Sequence, residues 1–160
     1  MQELFAIAGE IGAKLIARKE TIAVAESSTG GLISAALLSV PGASAYFLGG
    51  AVVYTRDARR ELMDISDEGM KGFRSSSEPY ARLLAEQMRS RFSCDWGLSE
   101  TGAAGPTGNR YGDAAGHSCM AVAGPAAEVI TLETGNNDRF ANMQVFAATA
   151  LKLLLRKLEG

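Results

Sequence analysis

A single histidine and two cysteines among 160 residues leave this chain little means of holding a transition metal. A zinc site needs more ligands at tighter spacing, so no metal is expected, and His117 reads as a structural side chain with a catalytic role as the less common alternative. Cys94 and Cys119 lie in or beside apparent strands and fit small, reduced core residues of a cytoplasmic protein. Basic surplus is missing too. Lys and Arg number 16 against 18 Asp and Glu, a net charge of −2, so nothing asks for a nucleic-acid backbone as partner.

No apolar run reaches the roughly 18 residues that a membrane span requires. The opening Met1-Gln2-Glu3-Leu4-Phe5 has no basic n-region, so neither a signal peptide nor a membrane is expected. Internal repeats, low-complexity tracts and linkers are absent, and the chain reads as one domain, long enough to build a full core. Two common phosphate-binding fingerprints, G-x-G-x-x-G and G-x-x-x-x-G-K-[ST], do not occur.

What is present is concentrated at one junction. Thr21-Ile22-Ala23-Val24-Ala25 is short, β-branched and apolar, the mark of a buried strand. Leu32 to Leu38 is rich in Ala and Leu and reads as a helix ended by Pro41-Gly42. Between them lies Glu26-Ser27-Ser28-Thr29-Gly30-Gly31, which puts three hydroxyls beside the first turn of a helix. Such a turn has unpaired N–H donors and partial positive charge, suited to an anion or a developing oxyanion.

The remaining pattern places this junction in an α/β frame. Leu4, Ala8, Ile11 and Leu15 share one face of a first helix that ends near Arg18. Gly49-Gly50 leads into a second buried strand, Ala51 to Tyr54, followed by a short helix from Asp57 to Met63 and a loop from Gly69 to Ser76. Ser77-Glu78-Pro79 opens a helix whose core face is Tyr80, Leu84, Met88 and Phe92. Trp96 to Ala103, His117 to Ala123 and Glu128 to Glu133 read as strands, the last two joined as a hairpin through Gly124-Pro125-Ala126-Ala127. Gly135-Asn136-Asn137-Asp138 opens a long, well-buried final helix to about Leu158. Helices before and after a mixed sheet indicate an α/β sandwich with helices on both faces. Ligands in such sheets sit outside the carboxyl ends of strands, so Ser27 and Thr101 would face one crevice, with Tyr54 close by.

Taken together, Glu26 to Gly31, Val40-Pro41-Gly42-Ala43-Ser44-Ala45-Tyr46-Phe47-Leu48-Gly49-Gly50, Val53-Tyr54-Thr55, Ser77-Glu78-Pro79 and Gly102-Ala103-Ala104-Gly105-Pro106 resemble the CinA C-terminal domain. That family includes the nicotinamide mononucleotide deamidases, and the resemblance runs from about Leu4 to Leu158. It implies a three-layer α/β/α sandwich with a five-stranded mixed sheet, here as a stand-alone version of the module. It also implies a serine amidohydrolase that needs no cofactor and turns nicotinamide mononucleotide into nicotinate mononucleotide and ammonia. Ser27 corresponds to the nucleophile, and the general-base lysine follows the tyrosine that corresponds to Tyr54. The partners expected on this reading are a small nucleotide substrate and, as a homo-oligomer, further copies of the chain.

The sequence leaves the family pattern at the base. Where the family reads Tyr-Ser-Asn-x-x-Lys, this chain has Tyr54-Thr55-Arg56-Asp57-Ala58-Arg59. A guanidinium stays protonated, so Arg59 can orient an anion or stabilise a Tyr54 phenolate but cannot readily accept a proton. Ser28 stands at the usual cysteine and Thr101 at a serine, preceded by Glu100, which reads as a partner for Arg59 or an alternative base. Arg139 is the arginine left in the turn before the last helix, shifted in register. Two readings follow. One is an amidase with Ser27 as nucleophile, Tyr54 or Glu100 as base, and the Gly30-Gly31 amides as oxyanion hole. Glu26, Ser28, Thr29, Gly50, Thr101, Gly102, Gly105 and Arg139 would then line the substrate, with Arg59 and Arg139 as its anion contacts. The other is a catalytically silent relative that still binds a nucleotide-like ligand. The loop from Thr107 to Gly116 differs from the family, and its Arg110 and Tyr111 are further candidate contacts.

Overall fold

The computed structural model describes residues 1–160 and builds a five-stranded sheet between two layers of helices. Its strands are β1 (Ile22–Glu26), β2 (Phe47–Val52), β3 (Trp96–Ala103), β4 (His117–Ala123) and β5 (Glu128–Glu133), in the order β2-β1-β3-β4-β5. β2, β1 and β3 run parallel, whereas β4 and β5 continue the sheet antiparallel, as the short hairpin link requires. The helices are α1 (Gln2–Arg18), α2 (Leu32–Leu38), α3 (Arg56–Met63), α4 (Glu78–Phe92) and α5 (Arg139–Glu159).

Burial follows the two-residue period of the strands. Val24, Leu98 and Met120 face a core built with α1, α2 and α5 from Leu4, Ile11, Leu15, Phe146, Leu151 and Leu154. Ala23 and Ala25 point the other way, toward Met63 and the Tyr80-Leu84-Met88 face of α4. Three of the five helices, α3, α4 and α5, start where a short polar side chain takes up a first-turn amide. Thr55 accepts from Ala58, Ser77 from Tyr80, and Asp138 from Ala141.

Two expectations are corrected. The second strand is Phe47–Val52, not Ala51–Tyr54, and it lies at the sheet edge with residues alternating between half-buried and exposed. Its glycines are strand residues. A Cβ on Gly49 would come within 2.8 Å of the Phe92 ring, and one on Gly50 within 2.3 Å of Ser34 Oγ. Phe92 itself is exposed rather than core, because α4 ends over this edge, where only the bare backbone of Gly49 lies beneath the ring.

Candidate active site

The chain direction reverses its lateral path at β1: β2 lies to one side and β3 to the other. A crevice opens outside the carboxyl ends of strands at such a switch point. Here it is walled by the turn after β1, the segment after β2, the loop before α4, and the residues after β3. A cavity of about 260 Å³ is lined by Ser27, Tyr54, Arg59, Thr101, Gly102 and Tyr111, among others. A second, of about 200 Å³, has Ser28, Tyr54, Gly102, Gly105 and Arg139 on its wall. Tyr54, 59% exposed, stands between them and also borders a wider cationic hollow of about 570 Å³ with Arg59, Arg74, Arg110 and Tyr111.

The Glu26-to-Gly31 turn is held by two carboxylates, both fully buried. Glu26, at the end of β1, accepts from the amides of Gly31, Ile33 and Ser34 at 2.9, 3.1 and 2.9 Å and from the Ser34 hydroxyl at 2.7 Å. It therefore caps α2 from the preceding strand. Glu100, on β3, accepts from the amides of Ser27 at 3.1 Å and Thr29 at 2.9 Å, and from the hydroxyls of Ser28 and Ser118. The Thr29 hydroxyl lies within hydrogen-bond distance of both, at 2.7 Å from Glu26 and 2.9 Å from Glu100, and its single proton serves one at a time.

This overturns two sequence expectations. The Gly30 and Gly31 amides are not free for an oxyanion, since Gly30 donates to the Ser27 carbonyl and Gly31 to Glu26. Both glycines instead serve the backbone, at φ 64° and 105°. Nor does Glu100 meet Arg59 or offer a free oxygen as base, because its lone pairs already receive the turn's donors. From Ser27 to Ser34 the only backbone N–H without a partner is that of Ser28. Among the three hydroxyls, those of Ser28 and Thr29 donate to carboxylates, while Ser27 Oγ makes no hydrogen bond and borders the cavity.

Around that oxygen the other groups are fixed. Arg139 donates to the Tyr54 hydroxyl at 3.1 Å and to the Gly105 carbonyl. Arg59 donates to Tyr80 Oη at 3.2 Å and Ser75 Oγ at 3.0 Å and lies over the Tyr80 ring, 5.1 Å from its centre. Thr101 Oγ1 is buried and accepts from the Ser76 amide at 3.0 Å. The structure thus brings Ser27, Tyr54, Arg59, Thr101 and Gly102 to one cavity and Ser28, Gly105 and Arg139 to its neighbour. Glu26, Thr29, Gly30 and Gly31 lie behind the wall as its supports, and Gly50 lies in mid-strand beside Ser34. Sequence reasoning missed Ser75 and Ser76 as wall residues and took Tyr80 for core alone; its hydroxyl reaches Arg59 while its ring is buried.

Arg59, Arg110 and Arg139 have no carboxylate partner, whereas Arg56 and Arg74 are paired with Asp67 and Asp113. Asp113 belongs to the 107–116 loop, and His117 lies behind it. His117 Nε2 meets the Ser76 carbonyl at 2.7 Å, Nδ1 meets Glu133, and Asp113 is 3.6 Å away. Burial lowers the pKa of His117, but Glu133, the Ser76 carbonyl and Asp113 together raise it above its ordinary value. Both cysteines are free and buried, and burial pushes both thiols up.

Comparison with known proteins finds relatives of this chain. The family model described as CinA C-terminal domain matches residues 4–158. A CinA-like protein from Gloeobacter violaceus is 36% identical over 154 residues, covering 95% of this chain and 36% of that protein. The chain thus spans about a third of the length of such relatives. The solved structure of a competence/damage inducible protein from Agrobacterium tumefaciens superposes with a TM-score of 0.90 at 27% identity, covering 99% and 96% of the two chains. A competence damage-inducible protein A from Klebsiella pneumoniae gives 0.90 at 25% identity, covering 98% and 97%.

Proposed function

The chain belongs to the CinA C-terminal domain family, and on that premise we propose that it is an amidohydrolase acting on the linear carboxamide of nicotinamide mononucleotide, with Ser27 as nucleophile. One observation carries the reading: Ser27 Oγ is the free hydroxyl of the turn, and it precedes the one unpartnered amide, that of Ser28. A nucleophile next to an open backbone donor is what acyl transfer needs, because the donor can receive the charge that develops on the carbonyl oxygen. The three arginines without carboxylate partners give the crevice a charge suited to a phosphate.

The chemistry runs in two steps. Ser27 Oγ forms a bond to the amide carbon and loses its proton, and the oxyanion is held by the Ser28 N–H. The C–N bond then breaks, and the nitrogen leaves as ammonia with that proton. Water attacks the resulting ester, the acid is released, and Ser27 recovers its hydrogen. Tyr54 is the remaining candidate to relay the proton, since Glu100 is engaged and Arg59 stays charged. The Arg139 guanidinium donates to its hydroxyl and so orients the phenol at the crevice.

A second reading rests on a different observation. Ser27 Oγ makes no hydrogen bond to a side-chain acceptor, and Arg59 is turned to Tyr80 and Ser75. On this reading the protein binds a nucleotide-like ligand without turnover. Ammonia release from nicotinamide mononucleotide separates the two. Release by the native chain that Ser27→Ala abolishes supports the amidase. Activity absent in the native chain but present in Arg59→Lys supports the silent reading, with a gain on the order of a hundred- to ten-thousand-fold expected for restored base catalysis.

A further inference from the structure

We propose that Glu100 is a positioning residue for Ser27: its carboxylate clamps the amides on either side of Ser28, which keeps the Ser27 hydroxyl and the Ser28 N–H open to the crevice. This rests on the reading of Ser27 as nucleophile and adds to it a residue that touches no substrate. Glu100 is fully buried in β3, and no arginine, lysine or histidine pairs with it. An unpaired buried carboxylate is costly unless hydrogen bonds surround it, and an apolar side chain would fill the same volume with less penalty. Its presence here is therefore explained by what it holds.

What it holds is one turn. Ser27 N and Thr29 N both donate to the same carboxylate oxygen, at 3.1 and 2.9 Å, while the Ser28 amide between them donates to nothing. The other oxygen receives the Ser28 hydroxyl and, at 2.9 Å, the Ser118 hydroxyl of β4. Drawing the Ser28 hydroxyl inward removes it as a rival nucleophile. Glu26 secures the far side of the turn through Gly31, Ile33 and Ser34. The donor and the nucleophile are thus fixed before substrate arrives, which is the condition under which an oxyanion site acts without reorganising.

A glutamine at this position keeps the clamp. Its carbonyl oxygen can accept both amides, and its NH₂ can donate to the Ser28 and Ser118 hydroxyls, which rotate to receive it. Leucine cannot do either. The test is the rate at which an alkyl fluorophosphonate modifies Ser27, read by mass spectrometry with Ser27→Ala as the blank. Glu100→Leu should slow modification on the order of a hundredfold, the effect of misplacing a reacting group by about an ångström. Glu100→Gln should stay near the native rate, and the affinity of both variants for nicotinamide mononucleotide should be unchanged. Equal modification of the leucine variant and the native chain would overturn the proposal. Native chain that is never modified would instead overturn the nucleophile reading. Hydrogen exchange on the native protein tests the clamp without any variant: the Ser27 and Thr29 amides should be protected and Ser28 fast. Ser28 protected as strongly as its neighbours would refute the clamp.

Discussion

Glu26 opens the most specific motif of the chain, yet its carboxylate faces the interior and caps the helix behind the crevice. Removing it leaves the amides of Gly31, Ile33 and Ser34 buried or half-buried without a partner. Loss of a helix cap costs about 0.5–2 kcal/mol, and each buried unpaired donor adds its own penalty. Glu26→Ala should therefore destabilise the fold by about 2–4 kcal/mol, measured as a shift in urea midpoint at unchanged slope. A shift below the size of a surface substitution would show that water takes over these donors. At this scale the residue types were legible in the sequence, and their directions were not. Three adjacent hydroxyls look alike along the chain; only the carboxylates of Glu26 and Glu100, the latter many residues away on β3, decide that two turn inward and one stays free.

Between elements, the approach of α2 and the end of α4 to β2 explains the one misplaced strand. Glycine is depleted in strands, so Gly49-Gly50 reads as a turn along the chain. In the fold these glycines are where Phe92 and Ser34 approach the sheet edge, and the strand passes straight through them. Gly50→Ala would drive its Cβ to 2.3 Å from Ser34 Oγ, which is itself 2.7 Å from Glu26. The expected cost is about 1–3 kcal/mol of stability, the usual range for overpacking, with ligand affinity retained because the position lies away from the crevice. Calorimetric melting beside ligand titration checks both halves. A stable variant with lost affinity would return Gly50 to the binding surface. The helices were easier to anticipate: Leu32–Leu38 follows from composition and its proline stop, and α4 from Ser77-Glu78-Pro79.

Across the whole molecule, sequence pattern was enough for the layered α/β architecture and the β4–β5 hairpin, because both rest on local periodicity and short links. The order of the strands and the closing of the crevice depend on contacts distant along the chain. His117 shows how far these reach: it joins the loop before α4 through the Ser76 carbonyl, β5 through Glu133, and the 107–116 loop through Asp113. Cys119 Sγ, 3.9 Å from Nε2, and Arg74, paired to Asp113, complete its charged and titratable surroundings. The Ser76 carbonyl and the Glu133 carboxylate are acceptors, so the form that satisfies both ring nitrogens is the imidazolium, and the folded pKa stands above the ordinary histidine value. Stability contributed by this brace is then complete below about pH 6.5, the unfolded value, and is lost as pH rises through the folded pKa. Asp113, held below its usual range because Arg74, Asn109 and His117 outweigh its burial, acts with the opposite sign. Its contribution is present above about pH 3.9 and disappears as pH falls through its folded value. The urea midpoint of the native protein should consequently fall between neutral and alkaline pH by more than that of His117→Gln, and the difference should track the imidazole titration followed by NMR. Parallel pH profiles for the two proteins would mean that a neutral ring serves the brace equally well.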